Sequence, residues 1–187
     1  MEGTPPNDLS PDGEIERKFL VPQVPKNLDR YPHDDLLQGY IAIAADGTEV
    51  RLRKIGDRYF ETVKTGDGET RGEVEIALNQ QQFDRLWALT EGRRIEKTRY
   101  RIDYERVVIE LDVYRGRLKG FMTAEVEFES VAASRSFEPP DWLGEEVTND
   151  GRYQNKHLAV HGVPVGAIAL LFLGAGKFVL DRLLWGT

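Results

Sequence analysis

Six short stretches of the chain carry charged residues at every second position, with aliphatic or aromatic residues between them. The first reads Glu14-Ile15-Glu16-Arg17-Lys18-Phe19-Leu20. Side chains of a strand alternate between its faces, so Glu14, Glu16 and Lys18 share one face and Ile15 and Phe19 the other. The pattern returns at Arg51/Arg53, Arg71/Glu73/Glu75, Lys97/Arg99/Arg101, Glu110/Asp112 and Glu125/Glu127. One ordinary half-buried strand spreads such groups over solvent. A sheet with this many ionic faces, of both signs, implies a charged interior.

Strand candidates lie at about 14–21, 36–44, 48–55, 58–64, 71–78, 95–104, 107–114 and 122–129. Asp46-Gly47 suits a type I′ turn, and Gly56-Asp57 a two-residue turn with glycine first. Gly66-Asp67-Gly68-Glu69-Thr70 reads as a longer polar loop. Eight hairpin-linked strands at this spacing predict an antiparallel barrel, or a sheet curled nearly shut, of mainly-β α+β class. Segment 80–91 breaks the alternation: Asn79 is an N-cap, Phe83, Leu86 and Trp87 fall at helical spacing, and Gly92 comes just past the end. It predicts an amphipathic helix outside the barrel. Residues 138–150 read as a loop leading into a short helix near 151–160.

The chain has 187 residues, 40% hydrophobic and 30% charged, with a mean hydropathy of -0.47, which fits one soluble domain. A net charge of -7 argues against sequence-blind nucleic-acid binding but allows a locally basic pocket for a small anion. There are no cysteines, hence no disulfides or thiolate metal sites; together with the absence of a secretory signal this sets a cytoplasmic expectation. Residues 1–13 read as a flexible tail. Residues 163–187 form an apolar C-terminal tail whose clean stretch, 165–176, is shorter than the roughly 20 residues a spanning helix needs. Packing on the barrel or on a second subunit is the reading preferred over membrane-surface anchoring, and monomer and homodimer both stay open.

Ionised groups taken out of bulk water cost several kcal/mol each unless paired, to an order of magnitude. A lumen lined by them is a poor structural core but a good site if it stays wet and binds charged partners. Carboxylates without His or Cys suit hard cations such as Mg²⁺ or Mn²⁺. Arg and Lys converging from several strands suit phosphate. For any one strand the plain alternative, a solvated charged face, wins. Taken jointly it loses, because six paired faces plus Lys64 and Lys156 do not fit on one outer surface, and basic and acidic strands are segregated. His33, His157 and His161 show no metal-ligand spacing, and Trp87, Trp142 and Tyr100 read as packing residues.

The first stretch resembles the ExExK signature of the CYTH family, the triphosphate tunnel metalloenzymes. Further elements come in the family's order: Gln38-Gly39-Tyr40, Glu49-Val50-Arg51-Leu52-Arg53, Thr62-Val63-Lys64, Arg71-Gly72-Glu73-Val74-Glu75, Glu96-Lys97-Thr98-Arg99-Tyr100, Glu110-Leu111-Asp112-Val113, Ala124-Glu125-Val126-Glu127 and Arg152-Tyr153-Gln154-Asn155-Lys156. The resemblance implies an eight-stranded antiparallel tunnel over residues 14–162 that binds triphosphates with one or two divalent ions, Mg²⁺ or Mn²⁺. It implies Glu14, Glu16, Asp112, Glu125 and Glu127 as metal ligands. It implies Lys18, Arg51, Arg53, Lys64, Lys97, Arg99 and Lys156 as phosphate contacts, with Arg71 joining them. Glu73 or Glu75 is the expected general base, with Lys18 assisting. The expected reaction is hydrolysis of inorganic triphosphate to orthophosphate and pyrophosphate. The alternatives are a nucleoside or thiamine triphosphatase, a class IV-type adenylate cyclase, or a non-catalytic module binding polyphosphate or nucleotide.

Overall fold

The computed structural model describes residues 15–65 and 72–165. Glu14 and Arg71, the loop 66–70, the N-terminal tail and the C-terminal stretch from 166 onward lie outside the described residues. The alternating stretches become β1 (Ile15–Leu20), β2 (His33–Ile43), β3 (Glu49–Ile55), β4 (Arg58–Thr65), β5 (Gly72–Leu78), β6 (Arg94–Tyr104), β7 (Val107–Tyr114) and β8 (Met122–Phe128). They form one sheet in the order β1-β8-β7-β6-β2-β3-β4-β5, every neighbouring pair antiparallel. Hydrogen bonds do not close it: β1 and β5 are its two edges, and the sheet curls around the charged face.

Register fixes which face is charged. Glu16 pairs with Glu127, Lys18 with Glu125, Arg99 with Asp112, Arg51 with Thr62 and Lys64 with Glu73, so one parity set runs across the sheet on one face. The apolar residues between them form the core on the other face. Phe19, Ile102, Ile109, Leu111, Ala124, Val126 and Phe128 pack there with Leu143 and Trp142. A second cluster gathers Leu20, Ile95, Tyr114, Leu118, Phe121, Tyr153 and Leu158 at the ends of β1, β6 and β7. The hydrophobic core therefore lies outside the curl and at one end of it.

Local chemistry accounts for where the structure departs from the sequence reading. β2 begins at His33 rather than 36, because pairing of His33 with Tyr100 and Asp34 with Arg99 overrides the low strand propensity of two aspartates. The connection after β2 is five residues long rather than a type I′ hairpin turn. The Asp46 carboxylate accepts the Thr48 N–H at 2.9 Å and only Gly47 takes positive φ, whereas type I′ needs two such residues. Gly56, at φ 56°, starts its turn as expected. The helix expected over 80–91 is α1 (Gln80–Trp87), capped reciprocally by Asn79 and Gln82, and it tightens into a 3-10 turn at Ala88–Thr90. That turn presses on β2 so closely that a Cβ on Gly39 would lie 2.7 Å from Thr90 and 2.8 Å from Trp87, so only glycine fits.

Two helices differ from expectation. α2 (Val131–Ser136) was not foreseen; six residues are too few to show a helical period, and its one signal is Ser130, whose hydroxyl accepts the Ala133 N–H. The helix expected at 151–160 is a 3-10 turn at Gly151–Tyr153 and then α3 (Asn155–His161), because extended backbone at Gln154 interrupts it. Leu158 of α3 packs into the second apolar cluster. Among the described residues no helix is long and apolar enough to cross a membrane.

Candidate active site

A cavity of about 270 Å³ occupies the curl. Its cations are Lys18 from β1, Arg51 and Arg53 from β3, Lys64 from β4, Lys97 and Arg99 from β6, and Lys156 from α3. Its carboxylates are Glu16, Glu49, Glu73, Glu125, Glu127 and Asp150, and its apolar lining is limited to Leu36, Tyr40 and Val147. All seven described cations of the expected phosphate set meet here. Strand parity puts six of them there, each two residues from another charge on its own strand or opposite one in register, and α3 brings in Lys156.

The carboxylates are turned onto these cations. Lys18 Nζ lies 2.8 Å from a Glu125 oxygen, and Arg99 Nη2 lies 2.6 Å from the other. Across the cavity Lys64 pairs with Glu73 at 2.6 Å and Arg53 with Glu75 at 2.5 Å, and Arg51 stands 3.6 Å from Glu73. Thr62, fully buried, accepts from Arg51 and donates to Glu75. Lys156 lies 3.4 Å from buried Glu49. Arg99 also pairs with Glu110.

Asp112 stands apart from its expected place as a metal ligand. It is fully buried and is not among the cavity-lining residues. One oxygen accepts from Lys97 at 2.5 Å and Arg99 at 2.7 Å, the other from Arg99 Nε at 2.7 Å. The bidentate fork holds the guanidinium of Arg99 in one plane and leaves its remaining donors for Glu110 and Glu125. Of the expected metal carboxylates, Glu16, Glu125 and Glu127 line the cavity. Glu75 reaches the site through Arg53 and is likewise not part of the lining.

Several lining residues escaped the sequence reading. Glu49 shares parity with Arg51 and Arg53 and was legible. Gln38 and Tyr40 share parity on β2, and both are buried, with the Gln38 amide donating to the Tyr40 hydroxyl at 2.6 Å. Thr148, Asp150 and Gln154 come from irregular backbone, where no period marks a facing side chain, and Asn155 opens the short helix α3.

Electrostatics reflect the packing of so many charges together. Burial pulls Lys97 down to about 8, with Arg99 adding to the effect against the attraction of Asp112 and Glu125. Burial also lowers Arg51, again with a neighbouring cation, Arg53, contributing. The acids also shift down, but against burial rather than with it. Burial alone would raise Asp112 and Glu125, but Arg99 and Lys97 at the first, and Lys18 and Arg99 at the second, outweigh it and hold both below the ordinary range. Burial is likewise overcome at Glu75 by the hydrogen bond from Arg53. Tyr40 is pushed up by burial.

These shifts set an acid limit. An unfolded chain titrates its carboxylates near pH 4, so as pH falls it takes up protons that the folded chain refuses, and stability present above that range is lost below it. The thermal midpoint should stay flat from about pH 7 to 5 and fall steeply below about pH 4, as read by thermal denaturation. A midpoint unchanged down to about pH 3 would show that the ion pairs do not hold the fold.

The donor set suits a hard divalent ion, being all oxygen with no His or Cys. Among the described residues no three such groups already converge on one point, and Glu125 is engaged by Lys18 and Arg99. An ion would be held by Glu16, Glu125 and Glu127 once an incoming anion takes over the cations.

Comparison with known proteins agrees with this geometry. The CYTH domain family matches residues 13–159. An inorganic triphosphatase of Nitrosomonas europaea is 49% identical over 149 residues, spanning 79% of this chain and 97% of that protein. An inorganic triphosphatase of Acetivibrio thermocellus is 37% identical over 151 residues, spanning 78% and 92%. A crystal structure of an inorganic triphosphatase superposes with a TM-score of 0.66 at 46% identity, covering 81% of this chain and 97% of that one. With an eight-stranded curl lined by Lys, Arg and Glu, and a match over most of its length, the chain belongs to the CYTH domain family.

Proposed function

We infer that the chain hydrolyses inorganic triphosphate to orthophosphate and pyrophosphate, with a divalent ion as cofactor. The observation that carries this is the convergence of seven cations on one cavity of about 270 Å³ with almost no apolar lining. Such a space suits a bare polyanion and offers no platform for a nucleobase. The relatives named inorganic triphosphatase support the same substrate.

The residues divide the work by side of the cavity. Lys64, Arg51 and Arg53 face one flank of the anion, and Lys18, Lys97 and Arg99 the other, so charge on the phosphoryl group being transferred is met from both sides. Asp112 keeps Lys97 and Arg99 in place from behind. Glu16, Glu125 and Glu127 would hold Mg²⁺ or Mn²⁺, which polarises a phosphoryl oxygen when bound. Glu73 and Glu75 begin in ion pairs with Lys64 and Arg53. When the triphosphate takes those cations, Glu73 is released in the cavity wall and Glu75 behind Arg53, and one of the two accepts the proton of the attacking water.

Phosphate release from tripolyphosphate, ATP and thiamine triphosphate, with Mg²⁺, Mn²⁺ or EDTA and product analysis for cyclic AMP, tests the reading. The expected result is turnover of tripolyphosphate at least about tenfold faster than of either organic triphosphate, a difference of about 1.4 kcal/mol in barrier, and none in EDTA. Tight tripolyphosphate binding without turnover would instead make the chain a binding module, and cyclic AMP would make it a cyclase.

A further inference from the structure

Within Glu16-Arg17-Lys18, Arg17 points away from the cavity. Its guanidinium grips Glu146 with two donors, Nε at 3.0 Å and Nη2 at 2.6 Å. Nη1 donates to the carbonyls of Ser134 at 3.1 Å and Phe137 at 3.2 Å, at the C-terminal end of α2. The group lies against the rings of Phe19 and Phe137, and its side chain is 19% exposed. Glu146 passes the contact on. Its Oε1 also accepts from the Thr148 hydroxyl at 2.7 Å, and that hydroxyl accepts the backbone N–H of Lys18 at 3.0 Å. The Val147 N–H donates to the Lys18 carbonyl at 2.8 Å, and the Leu20 N–H to the Glu145 carbonyl at 2.9 Å. Residues 144–148 thus cover the edge of β1 without forming a strand of their own; only one bridge, Phe19 with Glu146, is regular.

The end of that segment and the residues after it wall the cavity. Val147, Thr148, Asp150, Gln154, Asn155 and Lys156 all line it. Lys156 is the one cation of the set that no strand carries, so its position depends on how this segment sits. Elsewhere it is tied down by the Tyr114 hydroxyl donating to Asn155 at 2.9 Å and by Arg117 donating to carbonyls of α3. The hydrogen bond from Arg17 holds the Glu146 carboxyl below its ordinary range, so the pair stays charged into the acid region.

We propose that Arg17 is a positioning residue: through Glu146 and Thr148 it latches residues 144–148 onto the edge of β1, and so sets how tightly the cavity holds its triphosphate. This rests on the reading of the cavity as a triphosphate site. Arginine suits the role because a planar guanidinium spans one carboxylate and two carbonyls at once, whereas an ammonium is a point donor.

The test compares wild type, Arg17→Ala, Arg17→Lys, Glu146→Gln and the double variant Arg17→Ala/Glu146→Ala. In Arg17→Ala, KM for tripolyphosphate should rise about five- to tenfold with kcat within about twofold, the scale of one lost charge-assisted contact. Arg17→Lys should recover only part of it, and the double variant should be no worse than Arg17→Ala. Amide hydrogen exchange should quicken in residues 144–150 and stay unchanged in β6, β7 and β8. An unchanged KM, a fall in kcat alone, or exchange quickened across the whole sheet would each overturn the latch. Should Arg17→Ala fail to fold, Glu146→Gln, which keeps the shape, carries the same comparison. If wild type does not turn over tripolyphosphate the functional reading fails, while the exchange pattern still decides whether Arg17 is a latch.

Discussion

Asp112→Ala is expected to destabilise the protein by about 3–5 kcal/mol, the usual cost of removing one partner of a buried ion pair. The fully buried carboxylate is the common partner of Lys97 and Arg99, which are themselves buried or nearly so. Its loss takes from buried Lys97 the carboxylate it is paired with and leaves Arg99 to Glu110 and Glu125 alone, and burial already disfavours the charge on Lys97. For a chain of this size that corresponds to a fall in Tm of roughly 6–20 °C, measurable by thermal denaturation. The double variant Asp112→Leu/Lys97→Met should recover much of the loss, because an apolar pair needs no mutual charge. A single variant within about 1 kcal/mol of wild type would mean that water reaches the pair and the anchoring role is wrong. Activity should fall in both variants, because Arg99 loses the fork that orients it.

Substituting either Glu16 or Lys18 by alanine should abolish turnover while leaving the fold intact. Both side chains line the cavity, and neighbouring strand positions supply the packing through Phe19 and Leu20 on other surfaces. A loss of at least about a hundredfold in kcat/KM, near 2.7 kcal/mol of transition-state stabilisation, is expected for each. The two should differ in rescue. Excess Mn²⁺ should restore part of the activity of Glu16→Gln, because weakened ion binding is recoverable by mass action. It should not restore Lys18→Ala, whose missing charge faces Glu125 and, on the proposed function, the phosphate. Near-normal turnover in both alanine variants would sink the mechanism.

Parity made most of the site readable in advance. On a strand the facing set is every second residue, so Arg51/Arg53, Lys97/Arg99 and Glu125/Glu127 could be placed on one side of a sheet before any partner was known. Glu49 was readable by the same rule. Irregular backbone has no such rule, which is why Thr148 and Asp150 went unnoticed and α2 was missed altogether. Parity also says only that a side chain points inward, not how deep it sits. Asp112 has the right parity but ends behind Lys97 and Arg99, because the pairing of β6 with β7 sets Arg99 directly opposite it and Lys97 one diagonal position away.

Glu16-Arg17-Lys18 shows where the division falls. Alternation alone determined that Glu16 and Lys18 share a face, and the number of such faces determined that the sheet has an ionic interior. Those are local consequences of strand geometry. That Lys18 meets Glu125, and that Arg17 on the opposite face clamps Glu146, depends on contacts 107 and 129 residues away in the chain. Only the order in which the strands pair, and the segment laid along the edge of β1, could bring those groups together.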